Sequence, residues 1–196
     1  MSDAETLRVY DARAQDYARM VAKEALGAAL SRFLDGLPMG ARLLDLGCGP
    51  GNAAAAMARA GYRVDALDAS AEMVRIAAGH PGVTAWQATF DSLDSVAHYA
   101  GIWANFSLLH ASREAMPGHL EAIRRALLPG GRLHIGLKAG TGERRDSLGR
   151  FYTYYTEPEL DALLRQAGLT PGAFRHGTDI GLDGESAAWI TTLAHA

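Results

Sequence analysis

The sequence has a single cysteine among its 196 residues, Cys48. One cysteine excludes an internal disulfide and a cysteine-rich zinc site. Hydrophobic runs are also short, and none approaches the ~18 residues that would predict a transmembrane helix. The polar first stretch, MSDAETLRVYDARAQDY, lacks the apolar centre of a secretory signal peptide. We therefore predict a soluble cytoplasmic protein with no membrane partner.

Clusters of basic residues are lacking as well. The chain has 19 lysine and arginine residues against 22 aspartate and glutamate residues, which gives a formal net charge of −3. Because the basic residues are dispersed, the sequence predicts no nucleic-acid partner. We also predict no metal site, because no ligand spacing connects His80, His98, His119, His176 and His195. The sequence leaves the oligomeric state open.

Strand-like and helix-like segments do alternate regularly along the chain. Short apolar runs predict strands over residues 41–46, 62–67, 82–88, 101–106 and 132–138. Helical spacing between these runs predicts helices over residues 52–60, 70–78 and 119–127, the second with Ser70 as its N-cap. This alternation is typical of a parallel sheet that is covered by helices on both faces.

Both ends of the chain add to this predicted sheet. Residues 1–38 are predicted to form an N-terminal helical cap segment. Within it, the spacing of Leu26, Leu30, Phe33 and Leu34 predicts a helix across residues 20–34. Further along, Thr156 and Glu159 form the capping box of a helix over residues 156–168. Two closing strands, 171–177 and 185–194, are predicted to form a hairpin. We predict one α/β domain over residues 1–196.

A glycine-rich turn follows the first predicted strand, where doubly wound sheets bind their ligands. Its spacing is G-x-G-x-G over Gly47, Gly49 and Gly51, whereas a dinucleotide site has G-x-G-x-x-G. Asp45, two residues earlier, would repel a pyrophosphate and suits a positively charged amine or sulfonium. Asp68 ends the second strand, where a carboxylate can bridge two ribose hydroxyls. The pattern favours a sulfonium nucleoside over a dinucleotide.

The stretch LLDLGCGPG resembles the first motif of the class I S-adenosylmethionine-dependent methyltransferases. LDAS with Met73, ATFDSL, GIWANFSLLHAS and LLPGGRLHIG resemble the family's later motifs in the same order, so the resemblance covers roughly residues 8–194. The chain looks closest to small bacterial methyltransferases of the tellurite-resistance-like type. The resemblance implies a doubly wound Rossmann-like sheet of seven strands in the order 3-2-1-4-5-7-6, with the last strand antiparallel.

The resemblance also implies S-adenosylmethionine as cofactor, S-adenosylhomocysteine as its product, and a set of binding residues. The methionine end would lie near Asp45, Gly47, Cys48 and Gly49 and the main chain of Asn105 or Phe106. The ribose would lie at Asp68 and Ala69, and the adenine near Met73, Phe90 and Asp91. Tyr10 and Tyr17 would close over the cofactor. From the residues alone, the three carboxylates could instead be helix caps, and Cys48 a small residue that the turn tolerates.

The acceptor side of the site is less defined. His110 follows NFSLL and is either a general base or a packing residue. The segment 139–156 is rich in arginine and tyrosine and is either a plain connector or a substrate lid that contacts an anionic or aromatic small molecule through Arg145, Arg150, Tyr152 and Tyr154. We predict methyl transfer to a small-molecule acceptor. The alternatives are a nucleotide-dependent oxidoreductase and a non-catalytic cofactor-binding regulator.

Overall fold

Parallel strands form the centre of the fold in the computed structural model of the protein, which describes residues 3–21 and 27–196. The strands are β1 (Arg42–Leu46), β2 (Arg63–Asp68), β3 (Val83–Gln87), β4 (Tyr99–Asn105) and β5 (Leu127–Lys138). They lie side by side in the order β3-β2-β1-β4-β5. β5 begins five residues before the predicted strand, because Leu127 already pairs with Tyr99 ahead of an irregularity in the ladder.

The segment after β5 contains a separate two-stranded hairpin. It pairs β6 (Glu143–Arg145) with β7 (Phe151–Thr153) in antiparallel register. The sequence analysis assigned no strands here, because three-residue strands are too short to show a period-2 pattern. Tyr152 of β7 is buried and packs into the core next to the sheet. A role of residues 139–156 as a substrate lid stays a prediction.

Antiparallel strands complete the sheet at its β5 edge. β10 (Ser186–His195) pairs with β5 and also with two short strands, β8 (Thr170–Pro171) and β9 (Arg175–Ile180). β8 and β9 replace the single strand predicted over 171–177, because residues 172–174 between them belong to neither strand. In this gap the Gly172 N–H donates to the Leu193 carbonyl (2.7 Å). The described residues therefore form an eight-stranded sheet in the predicted order, and the predicted Rossmann-like fold class is confirmed.

Helices cover both faces of this sheet. They are α1 (Ala4–Ala12), α2 (Ala14–Val21), α3 (Gly27–Leu34), α4 (Asn52–Arg59), α5 (Ala71–Ala77), α6 (Met116–Ala126) and α7 (Glu157–Gln166). Successive residues of a strand point to opposite faces. Accordingly, Leu44 packs in the core that contains residues of α6 and α7, whereas Leu43 packs with residues of α3 and α4.

Helix starts follow the predicted capping residues. The Ser70 hydroxyl accepts the Met73 N–H at the start of α5, and Thr156 with Glu159 forms the capping box of α7. The helix predicted across residues 20–34 is described only in part, as the end of α2 and as α3. Leu26 lies outside the described residues. Across the described ranges, no helix has the length and apolar character needed to cross a membrane.

Candidate active site

The glycine turn lies between the carboxyl end of β1 and the first residue of α4. The N–H groups of Gly47 and Cys48 both donate to the Leu67 carbonyl (2.8 and 2.9 Å), which ties the turn to β2. Gly47 has a φ of +73°, and a Cβ at this position would lie 2.3 Å from the Ser107 Cβ. Conformation and space therefore both require glycine at position 47.

Asp45 is buried below this turn, at the end of β1. Its Oδ2 accepts the N–H of Ala54 (3.0 Å) in the first turn of α4. Burial, together with the nearby Asp68, raises the pKa of Asp45 to about 7. Asp45 therefore caps a helix, as one interpretation of the sequence held. It also lines a cavity, the Asp45 pocket, together with Gly47, Cys48, Gly49, Asn105 and Phe106.

Asp68 holds the other side of the turn. Its Oδ2 accepts the Gly49 N–H (2.8 Å), and its Oδ1 accepts the Ser70 N–H (2.9 Å). Because each carboxylate oxygen can accept two hydrogen bonds, each retains capacity for one more. Asp68 lines a second cavity, the turn pocket, together with Gly47, Gly49, Ala69, Met73, Phe90, Phe106 and residues of α1.

The end of β4 lies where these cavities adjoin. Phe106 has a φ of +55°, which is uncommon for a residue other than glycine and is found often at functional sites. Its N–H donates to the Gly136 carbonyl (2.9 Å), and the preceding Asn105 accepts the Nε2–H of His134 through Oδ1 (2.9 Å). Burial lowers the pKa of His134 to about 3, so its ring is neutral and orients Asn105.

A third cavity, the tyrosine pocket, lies on the β5 side. Lys138, at the carboxyl end of β5, places its Nζ 3.7 Å from the centre of the Tyr152 ring. Burial lowers the pKa of Lys138. The pocket is also lined by Tyr10, Tyr17, Met20, Phe106, Arg150 and Trp189. Its wall thus combines aromatic rings with aliphatic side chains, and it carries the charges of Lys138, Arg150 and Asp179.

His110 reaches both α1 and the hairpin. Its Nδ1 lies 2.6 Å from the Phe151 carbonyl oxygen and its Nε2 lies 2.9 Å from the Tyr10 hydroxyl. A carbonyl oxygen only accepts hydrogen bonds, so the proton of the neutral ring is on Nδ1, and Nε2 accepts from Tyr10. Burial lowers the pKa of His110 to about 4. The ring is therefore neutral near pH 7 and lines the turn pocket.

The structure brings most of the predicted cofactor residues together, but it places others elsewhere. Asp91 is exposed and lines a shallow depression with His119 instead of the turn pocket. Arg145 forms ion pairs with Asp3 and Glu5, and neither Arg145 nor Tyr154 lines the tyrosine pocket. The predicted ligand contacts of Asp91, Arg145 and Tyr154 thus remain predictions without support from their placement.

Arg150 and Tyr152 do line the tyrosine pocket, although both are buried. Arg150 forms an ion pair with Asp146 (2.6 Å), and its Nη1 donates to the Tyr10 hydroxyl (3.3 Å).

Burial, with Asp45 and Asp68 nearby, raises the pKa of the Cys48 thiol, which makes Cys48 a poor nucleophile. Within the described ranges, no group of three or more His, Cys, Asp or Glu side chains could hold a metal ion.

Sequence reasoning missed four residues of the site. Ser107 is buried below Gly47, and its hydroxyl donates to the Leu46 carbonyl (2.6 Å). Beside the tyrosine pocket, Asp179 accepts the indole N–H of Trp189 (2.7 Å). Lys138 could have been found, because it ends a parallel strand at the ligand-binding edge. Asp179 and Trp189 carry no such signal, since only the pairing of β9 with β10 brings them to the site.

Residues 43–131 match the model of a family described as a methyltransferase domain. The chain is similar to a Burkholderia thailandensis 1,6-didemethyltoxoflavin-N1-methyltransferase, solved with 1,6-didemethyltoxoflavin and S-adenosylhomocysteine. The identity is 27%, the TM-score 0.80, and the match covers 98% of this chain and 87% of that one. No curated protein matches the chain. These matches support a class I methyltransferase with S-adenosylmethionine as its cofactor.

Two further solved structures share the fold at lower identity. A TehB-like S-adenosylmethionine-dependent methyltransferase from Corynebacterium glutamicum is 20% identical with a TM-score of 0.69, over 93% of this chain and 97% of that one. The [4+2]-cyclase SpnF is 19% identical with a TM-score of 0.74, over 96% of this chain and 93% of that one. Since these proteins differ in activity, the fold by itself does not select the reaction.

Proposed function

We propose that this protein transfers the methyl group of S-adenosylmethionine to a small planar organic acceptor that binds in the tyrosine pocket. The observation that carries the proposal is that the turn pocket, the Asp45 pocket and the tyrosine pocket are all lined by the rings of Tyr17 and Phe106. A cofactor that occupies the first two cavities would present its sulfonium methyl where the third begins.

The residues of the turn fit this cofactor. The ribose hydroxyls would donate to the two Asp68 oxygens, each of which has one remaining acceptor position. Met73, buried at the start of α5, would pack against the adenine. The methionine end would lie in the Asp45 pocket, where a carboxylate offsets the positive charge of its amine. Tyr10 of α1 lines the turn pocket and Tyr17 of α2 lines both cavities, so both rings would lie against the bound cofactor.

The lining of the tyrosine pocket suits a flat acceptor with electron-rich or anionic groups. Aromatic rings contribute apolar walls, and Lys138 has its ammonium group at the Tyr152 ring. Arg150 is already paired with Asp146, so Lys138 is the stronger candidate for an electrostatic contact with the acceptor. The similarity to the Burkholderia methyltransferase supports a small molecule here. The tellurite-resistance-like relation has support only from shared fold.

Methyl transfer needs little covalent chemistry from the protein. The bound sulfonium supplies an activated methyl group with a neutral thioether as leaving group. The chain's own contribution is to align the acceptor behind that methyl and to exclude water. Phe106, held by its backbone bond to Gly136, and the rings of Tyr10 and Tyr17 form the boundary that sets this alignment.

Calorimetry and a turnover screen test the proposal. We expect micromolar binding of S-adenosylhomocysteine, no binding of NAD, and release of S-adenosylhomocysteine from S-adenosylmethionine with a planar N–H or O–H acceptor. 1,6-Didemethyltoxoflavin is the first compound to use. Tight NAD binding would favour the oxidoreductase alternative. Cofactor binding without turnover across an acceptor panel would favour the regulator alternative.

A further inference from the structure

The Tyr10 hydroxyl lies at the boundary between two cavities. Tyr10 of α1 lines both the turn pocket and the tyrosine pocket. Its hydroxyl is 2.9 Å from His110 Nε2 and accepts a hydrogen bond from Arg150 Nη1 (3.3 Å). An acceptor in the tyrosine pocket would therefore meet the phenol oxygen before it could reach the imidazole.

We propose that Tyr10 and His110 form a proton relay, in which Tyr10 is the catalytic residue that takes the acceptor's proton and His110 acts through it. This inference rests on the proposed function and deepens it. The hydrogen bonds already have the direction that the relay needs, because His110 Nε2 accepts from the Tyr10 O–H while Nδ1 donates to the Phe151 carbonyl.

The proposed step balances in atoms and charge. The acceptor's lone pair forms the new bond to the methyl carbon, and the carbon–sulfur bond breaks with its electron pair retained on sulfur. The proton of the acceptor's N–H or O–H passes to the Tyr10 oxygen as the phenolic proton passes to His110 Nε2. The positive charge of the sulfonium thus becomes the charge of the His110 imidazolium, which later releases its proton to water.

Each member of the dyad has a hydrogen-bond partner that offsets transient charge. Arg150 donates to the Tyr10 oxygen and stabilises negative charge that develops there, while Asp146 neutralises Arg150. Groups that face His110 are Tyr10 from α1, Tyr152 from β7, Lys138 from β5, and the Arg150–Asp146 pair. The Phe151 carbonyl accepts from Nδ1 in either protonation state, so the imidazolium keeps its partner.

Burial of His110 lowers its pKa to about 4, with Arg150 and Lys138 acting in the same direction. The ring therefore stays an unprotonated base from about pH 5.5 to pH 8. A weak base of this kind is sufficient when the acceptor proton becomes strongly acidic as the nitrogen or oxygen is methylated. The relay therefore implies an acceptor atom that carries a proton, which excludes thioethers and tertiary amines.

The test compares pH profiles of kcat for S-adenosylmethionine and 1,6-didemethyltoxoflavin. We expect a flat wild-type profile between pH 5.5 and pH 8. Tyr10→Phe should lower kcat about 100-fold or more at pH 7, the low end for general acid–base catalysis, with KM within threefold. Its rate should then rise with pH, since free hydroxide or the ionised acceptor replaces the lost base. His110→Asn keeps a donor for the Phe151 carbonyl and should show the same pattern.

The control is Tyr155→Phe, which removes a buried hydroxyl that has no hydrogen-bond partner in the described part of the chain. Its profile should match that of the wild type. S-Adenosylhomocysteine affinity within threefold in all variants shows that the site is folded. If the wild type turns over this compound and Tyr10→Phe has the same kcat and a flat pH profile, the relay is wrong while the proposed function stands. No turnover with this compound or any N–H or O–H compound of the panel overturns the proposed function and the relay together.

Discussion

The turn pocket and the tyrosine pocket are built in different ways. The turn pocket is built around the glycine turn and the end of β2, which are close together in sequence and are held by backbone N–H groups, although α1 and His110 also line it. The tyrosine pocket takes side chains from α1, α2, β5, β7 and β10. A ligand held by backbone geometry requires one particular turn conformation, whereas a ligand held by side chains can change while the fold stays the same.

The largest loss of cofactor binding should come from Gly47→Ala, which tests the role of backbone geometry in the turn pocket. The left-handed φ of +73° and the 2.3 Å approach to the Ser107 Cβ each cost about 1–3 kcal/mol for an added methyl group. We expect a lower melting temperature and loss of S-adenosylhomocysteine binding by calorimetry. Gly118→Ala in α6, where the new Cβ meets nothing within 4 Å, is the control and should not weaken binding. Intact binding in Gly47→Ala would contradict this account of the turn.

A smaller but clear loss is expected for Asp68→Ala. Removal of a carboxylate that accepts the ribose hydroxyls should weaken S-adenosylhomocysteine binding by roughly 1.5–3 kcal/mol, the range for hydrogen bonds to charged groups. Asp65→Asn, in the first half of β2, breaks an ion pair with Arg42 and should lower stability without changing cofactor affinity. If the dissociation constant of Asp68→Ala equals that of the wild type, Asp68 only caps the turn and α5.

Lys138→Met tests the side-chain part of the comparison. The half-buried ammonium lies in the tyrosine pocket and outside the turn pocket, so its loss should raise the acceptor KM about fivefold to tenfold, about 1–1.4 kcal/mol. Cofactor affinity should stay within twofold. Arg165→Met, which removes an exposed charge from α7, is the matched control for net charge. An unchanged acceptor KM would remove Lys138 from the binding site.

The smallest expected signal is a proton released from Asp45 when the cofactor binds. Asp45 has a raised pKa of about 7, so the folded, ligand-free protein retains a proton that the unfolded chain loses at a lower pH. The contribution of Asp45 to the free energy of unfolding therefore falls as the pH rises toward 7. A positively charged amine in the Asp45 pocket reverses this shift. Calorimetry at pH 7 in phosphate and in Tris should show release of about half a proton per bound cofactor, and Asp45→Asn should abolish the buffer dependence. Equal enthalpies for the wild type would place the amine elsewhere.

Prediction from sequence succeeded where local chemistry decides structure. The parallel strands, the Ser70 cap and the Thr156–Glu159 capping box follow from short apolar runs and from side chains that bond their own helix. It failed at the hairpin of β6 and β7 and at the break between β8 and β9, because three-residue and two-residue strands have no readable period. It also grouped Arg145 with the acceptor, whereas nearby Asp3 and Glu5 pair with this side chain.

The sequence by itself determined the fold class, the position of the glycine turn and the two carboxylates beside it, because these depend on residues adjacent in the chain. Only the tertiary structure decided that Tyr10 bonds His110, that Lys138 rather than Arg145 lines the tyrosine pocket, and that Trp189 lies beside it. The residues that line this pocket are separated by up to about 180 positions in the chain, and such distant residues come together only when the sheet order and the packing of α1 are formed.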